Sequence, residues 1–566
     1  MSKYEIKHLY TEAGGNLPAI PFNVYPRPQL KRDSFFCLNG KWSFDVPALG
    51  IENAEITVPF APESLLSGIN RSMGKRAHLF YRKSFALPSD FKKDRVILHF
   101  GAVDQIARVS LNGAFVGEHI GGYLPFSFDI TEYLTENNEL TVEVIDDTSD
   151  KTLPYGKQRL KRGGMWYTPV SGIWQTVWLE SVPSEYIKGI RYSFNDNEVK
   201  VELDGVTDGK ITVFAPSGEL EAEITGGEAS VTLTSPRLWS SDDPYLYRTS
   251  IISGSDTVES YFAVRTVDTR VIDGIPRICL NGKPIFLHAL LDQGYFSDGI
   301  YTPASPELYE NDILTAKSLG YNTLRKHIKI EPQLFYYYCD KYGMLVMQDM
   351  VNNGSYSFIR DTALPTVFMK YFPDFILNPS KKVRRNFIET AKKTVALLYN
   401  HPSVIYYTVF NEGWGQFNSA KAYKLFKKLD NTRVIDTTSG WFKTSKSDVV
   451  SHHVYFKPVK IKAHNSRPTV VSEFGGYSFK HPDHCANSLK TYGYSKYEEK
   501  EAFEEALTAL YINEIVTAVE KGLCGAVYTQ LSDVEDETNG LISYDRRYLK
   551  VTPEKMRKIA ELLKTE

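Results

Sequence analysis

Residues 404–412 have the sequence VIYYTVFNE, and residues 468–475 have the sequence PTVVSEFG. Each stretch is a nearly unbroken apolar run of strand length that leads into a glutamate. Strands that are apolar on both faces are typical of parallel sheets covered by helices. The two stretches therefore predict two buried strands of an α/β domain, with Glu412 and Glu473 at their carboxyl ends.

Similar apolar stretches occur throughout the region from residue 268 to the end of the chain. Apolar runs alternate there with amphipathic helical segments, which include 305–320, 332–343, 381–400, 417–429, 499–521 and 553–564. Eight apolar runs can be counted, at 284–290, 322–328, 344–350, 404–412, 434–440, 449–455, 468–475 and 525–532. Eight strand–helix alternations predict a (β/α)8 TIM barrel.

The residues before 268 have a different pattern. Short runs such as RVILHF (95–100) and ELTVEVI (139–145) predict strands, and Asn-Gly pairs at 39–40 and 112–113 predict tight hairpins. Six or seven further short runs follow, and they indicate a small immunoglobulin-like fold. We thus expect three domains: a jelly-roll-like, sugar-binding-like β-sandwich at 1–182, an immunoglobulin-like β-sandwich at 183–267 and a catalytic TIM barrel at 268–566.

Composition narrows the classes of function. The formal net charge of -2 offers no electrostatic reason to bind nucleic acid or a membrane surface, and no stretch has the ~18 apolar residues of a membrane span. The five cysteines are scattered without a CxxC pair, which argues against a zinc site or a disulfide framework and fits a reducing compartment. The N-terminus lacks the apolar run of a signal peptide. We expect a cytoplasmic protein, unless a leader has been removed.

The two glutamates carry the chemical prediction. Catalytic groups of a TIM barrel lie at the carboxyl ends of its strands, and Glu412 and Glu473 end the predicted fourth and seventh strands. Two carboxyl groups about 5–5.5 Å apart cleave a glycosidic bond with retention, whereas about 6.5–9.5 Å leaves room for water and gives inversion. We expect the shorter separation, with Glu412 as general acid/base and Glu473 as nucleophile. A structural ion pair is the alternative for each.

Longer motifs support this interpretation. VFNEGWGQF (409–417) and VVSEFGGY (470–477) resemble the acid/base and nucleophile segments of glycoside hydrolase family 2, which includes β-galactosidases, β-glucuronidases and β-mannosidases. The resemblance implies a retaining, exo-acting β-glycosidase that acts on a carbohydrate or glycoside substrate. Other segments resemble the family along the whole chain, at 26–44, 171–180, 324–332, 345–350 and 528–541.

The resemblance also implies roles for further residues. Asn411 would hydrogen-bond the sugar 2-hydroxyl, and Arg325 would orient and ionise the nucleophile, unless it forms a structural ion pair. Tyr455 would hydrogen-bond the nucleophile. His453 lies two residues earlier on the same face of its strand, so either side chain could be the one that reaches the site.

Several further residues each have two or more possible roles. Asp349 closes the third strand and is either an acceptor for a sugar hydroxyl or a loop cap. Trp414 and Trp441 are stacking platforms for sugar or part of the core. Glu535 and Glu537 are predicted to lie in a solvated loop rather than to touch substrate. The stretch 351–380 is expected to be a lid, an aglycone platform or a packing insert.

The identity of the sugar stays open. β-Glucuronidases of the family use an Asn-x-Lys motif in the barrel, but here this triplet occurs at 39–41 and 281–283, both predicted hairpins. A β-galactosidase is therefore favoured. A β-glucuronidase or β-galacturonidase that uses Lys326, Lys329 or Arg360 is the first alternative, and an α-L-arabinopyranosidase the second. A non-catalytic carbohydrate-binding protein is the alternative from a different class.

No cofactor and no metal are expected. Metal-dependent β-galactosidases of the family place a carboxylate and a histidine after the third strand, where this chain has Asn352 and Asn353. Homo-oligomers are common for this architecture, and no segment of the sequence indicates an interface.

Overall fold

The computed structural model describes residues 7–363, 374, 377–378, 380–442, 444, 446–462 and 464–564 of the 566-residue chain. Two β-sandwiches precede a parallel eight-stranded barrel, so the predicted fold class is confirmed.

In the described residues, the first sandwich contains twelve strands in sheets of the order β1-β12-β5-β9, β3-β2-β4-β10-β7-β8 and β11-β6. The strands are β1 (Phe36–Cys37), β2 (Gly40–Val46), β3 (Ile51–Val58), β4 (Arg76–Phe85), β5 (Arg95–Phe100), β6 (Val103–Asp104), β7 (Ile106–Leu111), β8 (Ala114–Ile120), β9 (Phe126–Asp129), β10 (Asn138–Asp147), β11 (Gly172–Ile173) and β12 (Val177–Val182). Single turns of 3-10 helix lie at Ala13–Gly15, Pro47–Leu49 and Thr131–Tyr133.

Alternating side chains account for this sandwich. Along β10, every second residue is buried, as expected for a strand with one face on the core. Asn112 and Gly113 both have positive φ (53° and 81°) and join β7 to β8 in the predicted hairpin. The prediction for Asn39-Gly40 is wrong, because β1 and β2 belong to different sheets. The Asn39 side chain instead ties two segments together, donating to Pro21 O and accepting from Val177 N.

The second sandwich has sheets of the order β13-β14-β17 and β16-β15-β18-β19. Its strands are β13 (Gly189–Asn195), β14 (Glu198–Asp204), β15 (Gly209–Ala215), β16 (Gly218–Ile224), β17 (Glu228–Thr232), β18 (Tyr247–Ser253) and β19 (Asp256–Phe262). A separate antiparallel sheet then precedes the barrel, formed by β20 (Val267–Ile272), β21 (Ile275–Leu280) and β22 (Lys283–Pro284). Residues of this sheet, such as Ile278 and Leu280, pack with barrel-strand residues such as Leu287 and Ile405.

The barrel sheet has the order β27-β26-β25-β24-β23-β32-β29-β28, with every ladder parallel. Its strands are β23 (Leu287–Asp292), β24 (Thr323–Lys326), β25 (Leu345–Asp349), β26 (Val404–Asn411), β27 (Val434–Ser439), β28 (Val450–Val454), β29 (Thr469–Gly475) and β32 (Leu523–Thr529). The short strands β30 (Ser478–Phe479) and β31 (Lys496–Tyr497) pair after β29. All eight residues of β26 and all seven of β29 are buried, because helices and loops cover one face and the barrel interior the other.

Helices cover the outside of the barrel. They are α1 (Glu307–Ser318), α2 (Gln333–Tyr342), α3 (Lys381–Leu398), α4 (Ser419–Leu429), α5 (Lys500–Leu510), α6 (Thr517–Glu520) and α7 (Pro553–Leu562), with π-helical turns at Ile359–Ala363 and Tyr511–Val516. The described parts of 440–449 and 455–468 contain no helix. The first of these connections is too short for a crossover helix and its two loops. No described helix has both the length and the apolar character needed to cross a lipid bilayer.

An aromatic cluster joins the first sandwich to the barrel mouth. Trp166 and Trp174 from the sandwich pack in one buried cluster with Tyr301 and Trp414 of the barrel. The segment 151–171, which follows β10, is thereby fixed against the carboxyl ends of the barrel strands.

Candidate active site

Glu412 and Glu473 meet at the mouth of the barrel. Glu412 follows the last residue of β26, and Glu473 lies near the end of β29. One carboxylate oxygen of each lies within 4.8 Å of the other and of a ring nitrogen of His453. This spacing belongs to the short class that permits direct attack on a sugar carbon.

The backbone at Glu412 has an unusual conformation. Its φ is +50°, in the left-handed region that side chains other than glycine rarely adopt. The Glu412 amide donates to Ser439 O (2.9 Å), and the Trp414 amide donates to Asn411 O (2.9 Å). These bonds hold a turn that the chain would otherwise avoid, and such strain is common at functional sites.

Three side chains contact the Glu473 carboxylate. Arg325 Nη1 donates to Oε1 (3.0 Å), Tyr455 OH donates to Oε2 (2.5 Å), and His453 Nδ1 lies 3.4 Å from Oε2. Burial alone would raise the pKa of Glu473, but the charges of His453 and Arg325 outweigh it and lower that pKa to about 2. Glu473 is therefore a carboxylate throughout the physiological pH range.

His453 bridges the two glutamates, since its Nδ1 lies 2.8 Å from Glu412 Oε1. Its Nε2 lies 3.1 Å from Ser439 Oγ, which in turn donates to Ser472 Oγ. Tyr455 also contacts Thr529 Oγ1 (2.9 Å). The structure thus brings both His453 and Tyr455 to Glu473, where the sequence left the choice between them open.

Arg325 is fully buried and is held by Asp349. Arg325 Nε and Nη2 donate to the two oxygens of Asp349, each at 3.0 Å, and His327 Nδ1 lies 2.7 Å from Oδ2. Burial would raise the pKa of Asp349, but Arg325 lowers it overall. Asp349 thus holds the guanidinium of Arg325 through both of its oxygens, and its role as an acceptor for a sugar hydroxyl stays a prediction.

Asn411 is oriented by the same arginine. Its Oδ1 accepts from Arg325 Nη2 (2.8 Å), which leaves the amide NH2 group as the part able to donate. Arg325 thus connects the nucleophile, Asp349 and Asn411 in one network.

The two tryptophans have different surroundings. Trp414 is 2% exposed and stacks on Trp166 of the first sandwich, with ring centroids 5.1 Å apart. It belongs to the core between the domains, which speaks against an open stacking platform. Trp441 is half-buried, with its ring centroid 5.5 Å from that of His453.

The acidic loop after β32 is buried, so the predicted solvated loop is a wrong expectation. Glu537 Oε2 accepts from Tyr167 OH (2.8 Å) and from Gln530 Nε2 (2.7 Å). Glu535 Oε1 accepts from the Thr168 amide (2.8 Å). Tyr167 and Thr168 come from the first sandwich, and no local sequence pattern indicates a contact between segments so far apart in the chain.

Aromatic rings line the rim of the site. Tyr494 stacks on Tyr455 with centroids 4.2 Å apart, and Phe456 packs its edge against Tyr494 (4.8 Å). Phe456 is 84% exposed although it directly follows Tyr455. The stretch 351–380 is described only in part, and its predicted role as a lid or insert lies largely outside the described residues. Within it, Tyr356 packs against Trp414.

Metal-binding groups occur at the same place. Within the described part of the chain, the set of three metal-ligand side chains that lie close together consists of Glu412, His453 and Glu473. Asn353, from the segment after the third barrel strand, donates instead to Thr152 O and Val383 O.

Comparison with protein families gives two matches. The description "Glycosyl hydrolases family 2, TIM barrel domain" matches residues 275–539, and "Glycosyl hydrolase 2 galactose-binding domain-like" matches residues 52–166. Together the two ranges cover most of the chain and fall on the barrel and on the first sandwich.

Among curated proteins, the chain is similar to β-galactosidases. It is 25% identical over 480 residues to that of Thermoanaerobacter pseudethanolicus, which covers 78% of this chain and 59% of the relative. It is 25% identical over 484 residues to that of Priestia megaterium, a match that covers 78% of this chain and 43% of the relative. The chain thus spans less than two thirds of these relatives' length.

Solved structures share the fold over nearly the whole chain. A β-D-glucuronidase structure from Dictyoglomus thermophilum has a TM-score of 0.72 at 17% identity and covers 95% of this chain and 98% of its own. A β-galacturonidase structure from Eisenbergiella tayi has a TM-score of 0.69 at 20% identity and covers 96% of this chain and 99% of its own. Both matched regions, the order of the domains and the relatives agree, and the chain belongs to glycoside hydrolase family 2.

Proposed function

We propose that this protein is a retaining, exo-acting β-glycosidase that hydrolyses terminal β-linked sugars through a covalent glycosyl-enzyme intermediate. The observation that carries the proposal is the Glu412–Glu473 pair, with carboxylate oxygens within 4.8 Å and with different environments. Two such carboxylates are what the reaction needs: one ionised below the anomeric carbon and one that exchanges a proton with the leaving oxygen.

The two steps follow from the geometry. In the first, a Glu473 oxygen bonds to the anomeric carbon while the glycosidic C–O bond breaks and Glu412 gives its proton to the leaving oxygen. In the second, Glu412 takes a proton from water, the water oxygen bonds to the anomeric carbon, and the ester bond to Glu473 breaks. Two inversions at one carbon leave the product with the configuration of the substrate.

Neighbouring groups assist these steps. Arg325 and Tyr455 keep Glu473 charged and oriented before attack. The Asn411 amide, aligned by Arg325, is available for the sugar 2-hydroxyl, and such a bond strengthens as charge develops in the transition state. His453 Nδ1 lies 2.8 Å from Glu412 and 3.4 Å from Glu473 and holds the two carboxylates in place.

The sugar has two main candidates. The curated relatives that match over most of this chain are β-galactosidases, which supports a β-galactoside, with an α-L-arabinopyranoside as the analogue lacking C6. A curated β-glucuronidase from Formosa agariphila, 28% identical over 259 residues, supports a hexuronide instead. The similar folds belong to a β-glucuronidase and a β-galacturonidase, which supports a hexuronide.

Aryl glycosides test the proposal directly. The wild-type protein should release nitrophenol from at least one β-glycoside, and proton NMR should show the β-anomer as the first sugar product. Glu473→Ala should lose turnover by several orders of magnitude. Glu412→Ala should retain activity on good leaving groups, which need little protonation. Glu505→Ala, at a helix position away from the two carboxylates, serves as control.

Azide separates the two roles. Azide should restore turnover in Glu473→Ala with an α-glycosyl azide as product, because it attacks from the side of the missing carboxylate. In Glu412→Ala the azide should attack the glycosyl-enzyme and give the β-azide. Wild-type rates in both single variants would refute the assignment. Sugar binding without any hydrolysis would favour the non-catalytic carbohydrate-binding alternative.

A cytoplasmic location is proposed on separate grounds. All five cysteines are free thiols, and thiols persist in reducing compartments. Recovery of the protein from an extracellular fraction of intact cells would contradict this location.

A further inference from the structure

Lys157 is a buried cation that lacks a hydrogen-bond or ion-pair partner among the described residues. It lies in the segment that follows β10, and it is 8% exposed. In the described part of the chain, no acceptor lies within hydrogen-bonding distance of its Nζ and no carboxylate lies within 4.0 Å. The Tyr167 ring is 5.5 Å away, measured from Nζ to the centroid. Burial of an ammonium without a directly bound partner is costly, and lysines this buried are normally paired.

Three other cations near the barrel mouth are already paired. Lys326 Nζ donates to Asp292 (2.5 Å) and Glu331 (2.8 Å). Lys329 Nζ lies 2.9 Å from Glu331 and donates to two backbone carbonyls. Arg360 pairs with its neighbour Asp361. The three residues that the sequence offered as partners for a sugar carboxylate are therefore occupied, in contrast to Lys157.

A short chain of contacts links Lys157 to the nucleophile. Tyr167, beneath its ammonium, donates to Glu537 (2.8 Å), and Glu537 accepts from Gln530 (2.7 Å). Gln530 directly follows Thr529, whose hydroxyl contacts Tyr455 OH, and Tyr455 donates to Glu473. The charge of Lys157 also acts on two residues flanking the site. Burial and then Lys157 lower the pKa of His327 to about 4, and Lys157 opposes the rise that burial causes in the pKa of Glu537.

Hydrogen bonds hold the backbone at Lys157 and the neighbouring side chain of Gln158. Gln158 Nε2 donates to Asp104 (3.0 Å) and to Tyr123 OH (2.9 Å), and Gln158 Oε1 accepts from the Val170 amide (2.7 Å). The Tyr167 amide donates to Lys157 O (3.1 Å). The backbone from which the Lys157 side chain extends is therefore organised before a ligand arrives.

We infer that Lys157 binds the carboxylate of a β-linked hexuronic acid in the sugar pocket, so that the substrate class of this site is the hexuronides. The inference rests on the proposed glycosidase function. A carboxylate supplies the missing counter-charge, whereas the hydroxymethyl group of a galactoside does not. The first sandwich, rather than an Asn-x-Lys motif in the barrel, would then determine specificity for the acid.

The substitution Lys157→Met keeps the apolar stem and removes the charge. We expect kcat/KM for aryl β-D-glucuronide or β-D-galacturonide to fall about 10- to 100-fold, the effect of one lost charged hydrogen bond. The value for the aryl β-D-galactoside should change less than about 3-fold, because no charge is involved. Lys157→Arg should retain the preference for the acid. Lys161→Met, an exposed lysine in the same segment, is the matched control.

Binding provides a readout that does not depend on turnover. Free D-glucuronate or D-galacturonate should raise the melting temperature of the wild type and of Lys161→Met, but not that of Lys157→Met. Without ligand, the melting temperature of Lys157→Met should stay within a few degrees of that of the wild type, because Nζ loses no hydrogen bond. Equal losses on acidic and neutral glycosides, or uronate binding that survives Lys157→Met, would overturn the inference. Absence of all hydrolysis, with uronate binding intact, would instead count against the proposed function.

Discussion

Replacing Glu63 by glutamine tests a buried acid pair that anchors the segment carrying Lys157. Ser171 Oγ lies 2.8 Å from Glu63 Oε1 and 2.6 Å from Asp146 Oδ2, and its amide donates to Glu63 Oε2 (3.1 Å). One hydroxyl has one proton, so it can donate to one of the two acids, and the other acid must itself be protonated. In Glu63→Gln the new side chain can reproduce this arrangement without a titrating proton: its carbonyl accepts from the Ser171 amide, and its NH2 group donates to Ser171 Oγ.

The magnitude follows from the pKa of Glu63. Burial raises that pKa from its ordinary 4.5 to about 8. Between these pH values the unfolded chain has lost the proton and the folded chain has kept it, so the free energy of unfolding falls as the pH rises. Below pH 4.5 this contribution is complete, and above about 8 it is gone. At about 1.4 kcal/mol per pKa unit, the full loss is at most about 5 kcal/mol.

The assay is the melting temperature of the wild type, Glu63→Gln and the exposed control Glu55→Gln from about pH 5 to about pH 8, the window set by the two pKa values. The wild type and the control should lose more stability over this range than Glu63→Gln, so that the gap widens with pH. A residual slope should persist, because burial and the neighbouring Asp104 also raise the pKa of Asp146. Parallel profiles for the wild type and Glu63→Gln would refute the reasoning, as would a variant that is less stable than the wild type at every pH.

Three further predictions concern the active site. As the pH is lowered, the fall in kcat/KM caused by protonation of Glu473 should occur well below pH 4.5, the ordinary carboxyl pKa, because the pKa of Glu473 is lowered to about 2. An inflection near pH 4.5 in rapid assays would contradict this prediction. Tyr455→Phe removes the donor at 2.5 Å and should lower kcat by about 10- to 100-fold while the melting temperature stays within a few degrees, and unchanged kcat would exclude this role. Phe456→Ala should raise KM for aryl glycosides several-fold and leave methyl glycosides unaffected, since the exposed ring is placed to pack on a flat aglycone. Phe115→Ala, an exposed ring on the first sandwich, should change neither KM, and equal effects of the two alanine variants would argue against an aglycone platform.

Local patterns in the sequence predicted the barrel well. Each apolar run that predicted a barrel strand overlaps one of β23 to β29 or β32. The reason is that a parallel strand covered on both faces must be apolar along its length, and this property is visible in the sequence. The same property made Glu412 and Glu473 conspicuous, because a carboxylate at the end of such a run has no solvated face to account for it.

Burial and pairing of polar groups were not predictable in the same way. The sequence did not indicate that Arg325 and His327 contact the two oxygens of Asp349. Glu537 stood in a stretch of acidic and polar residues typical of a solvated loop, yet Tyr167 and Gln530 bury it. A loop rich in acidic and polar residues is usually exposed to solvent, and this general tendency was the basis of the prediction. Whether a particular loop is buried depends on which distant segments pack over it.

The amino-acid sequence alone determined the order of the domains, the strands of the barrel and the two glutamates, because these depend on periodicity and on motifs within a few residues. The tertiary structure alone decided that a segment of the first sandwich packs against the loop after β32 and that Lys157 in this segment is buried. That contact joins Tyr167 to Glu537, residues 370 positions apart. The contact exists because side chains of two domains pack together. The spacing of apolar residues within each segment predicts local structure but not such long-range packing.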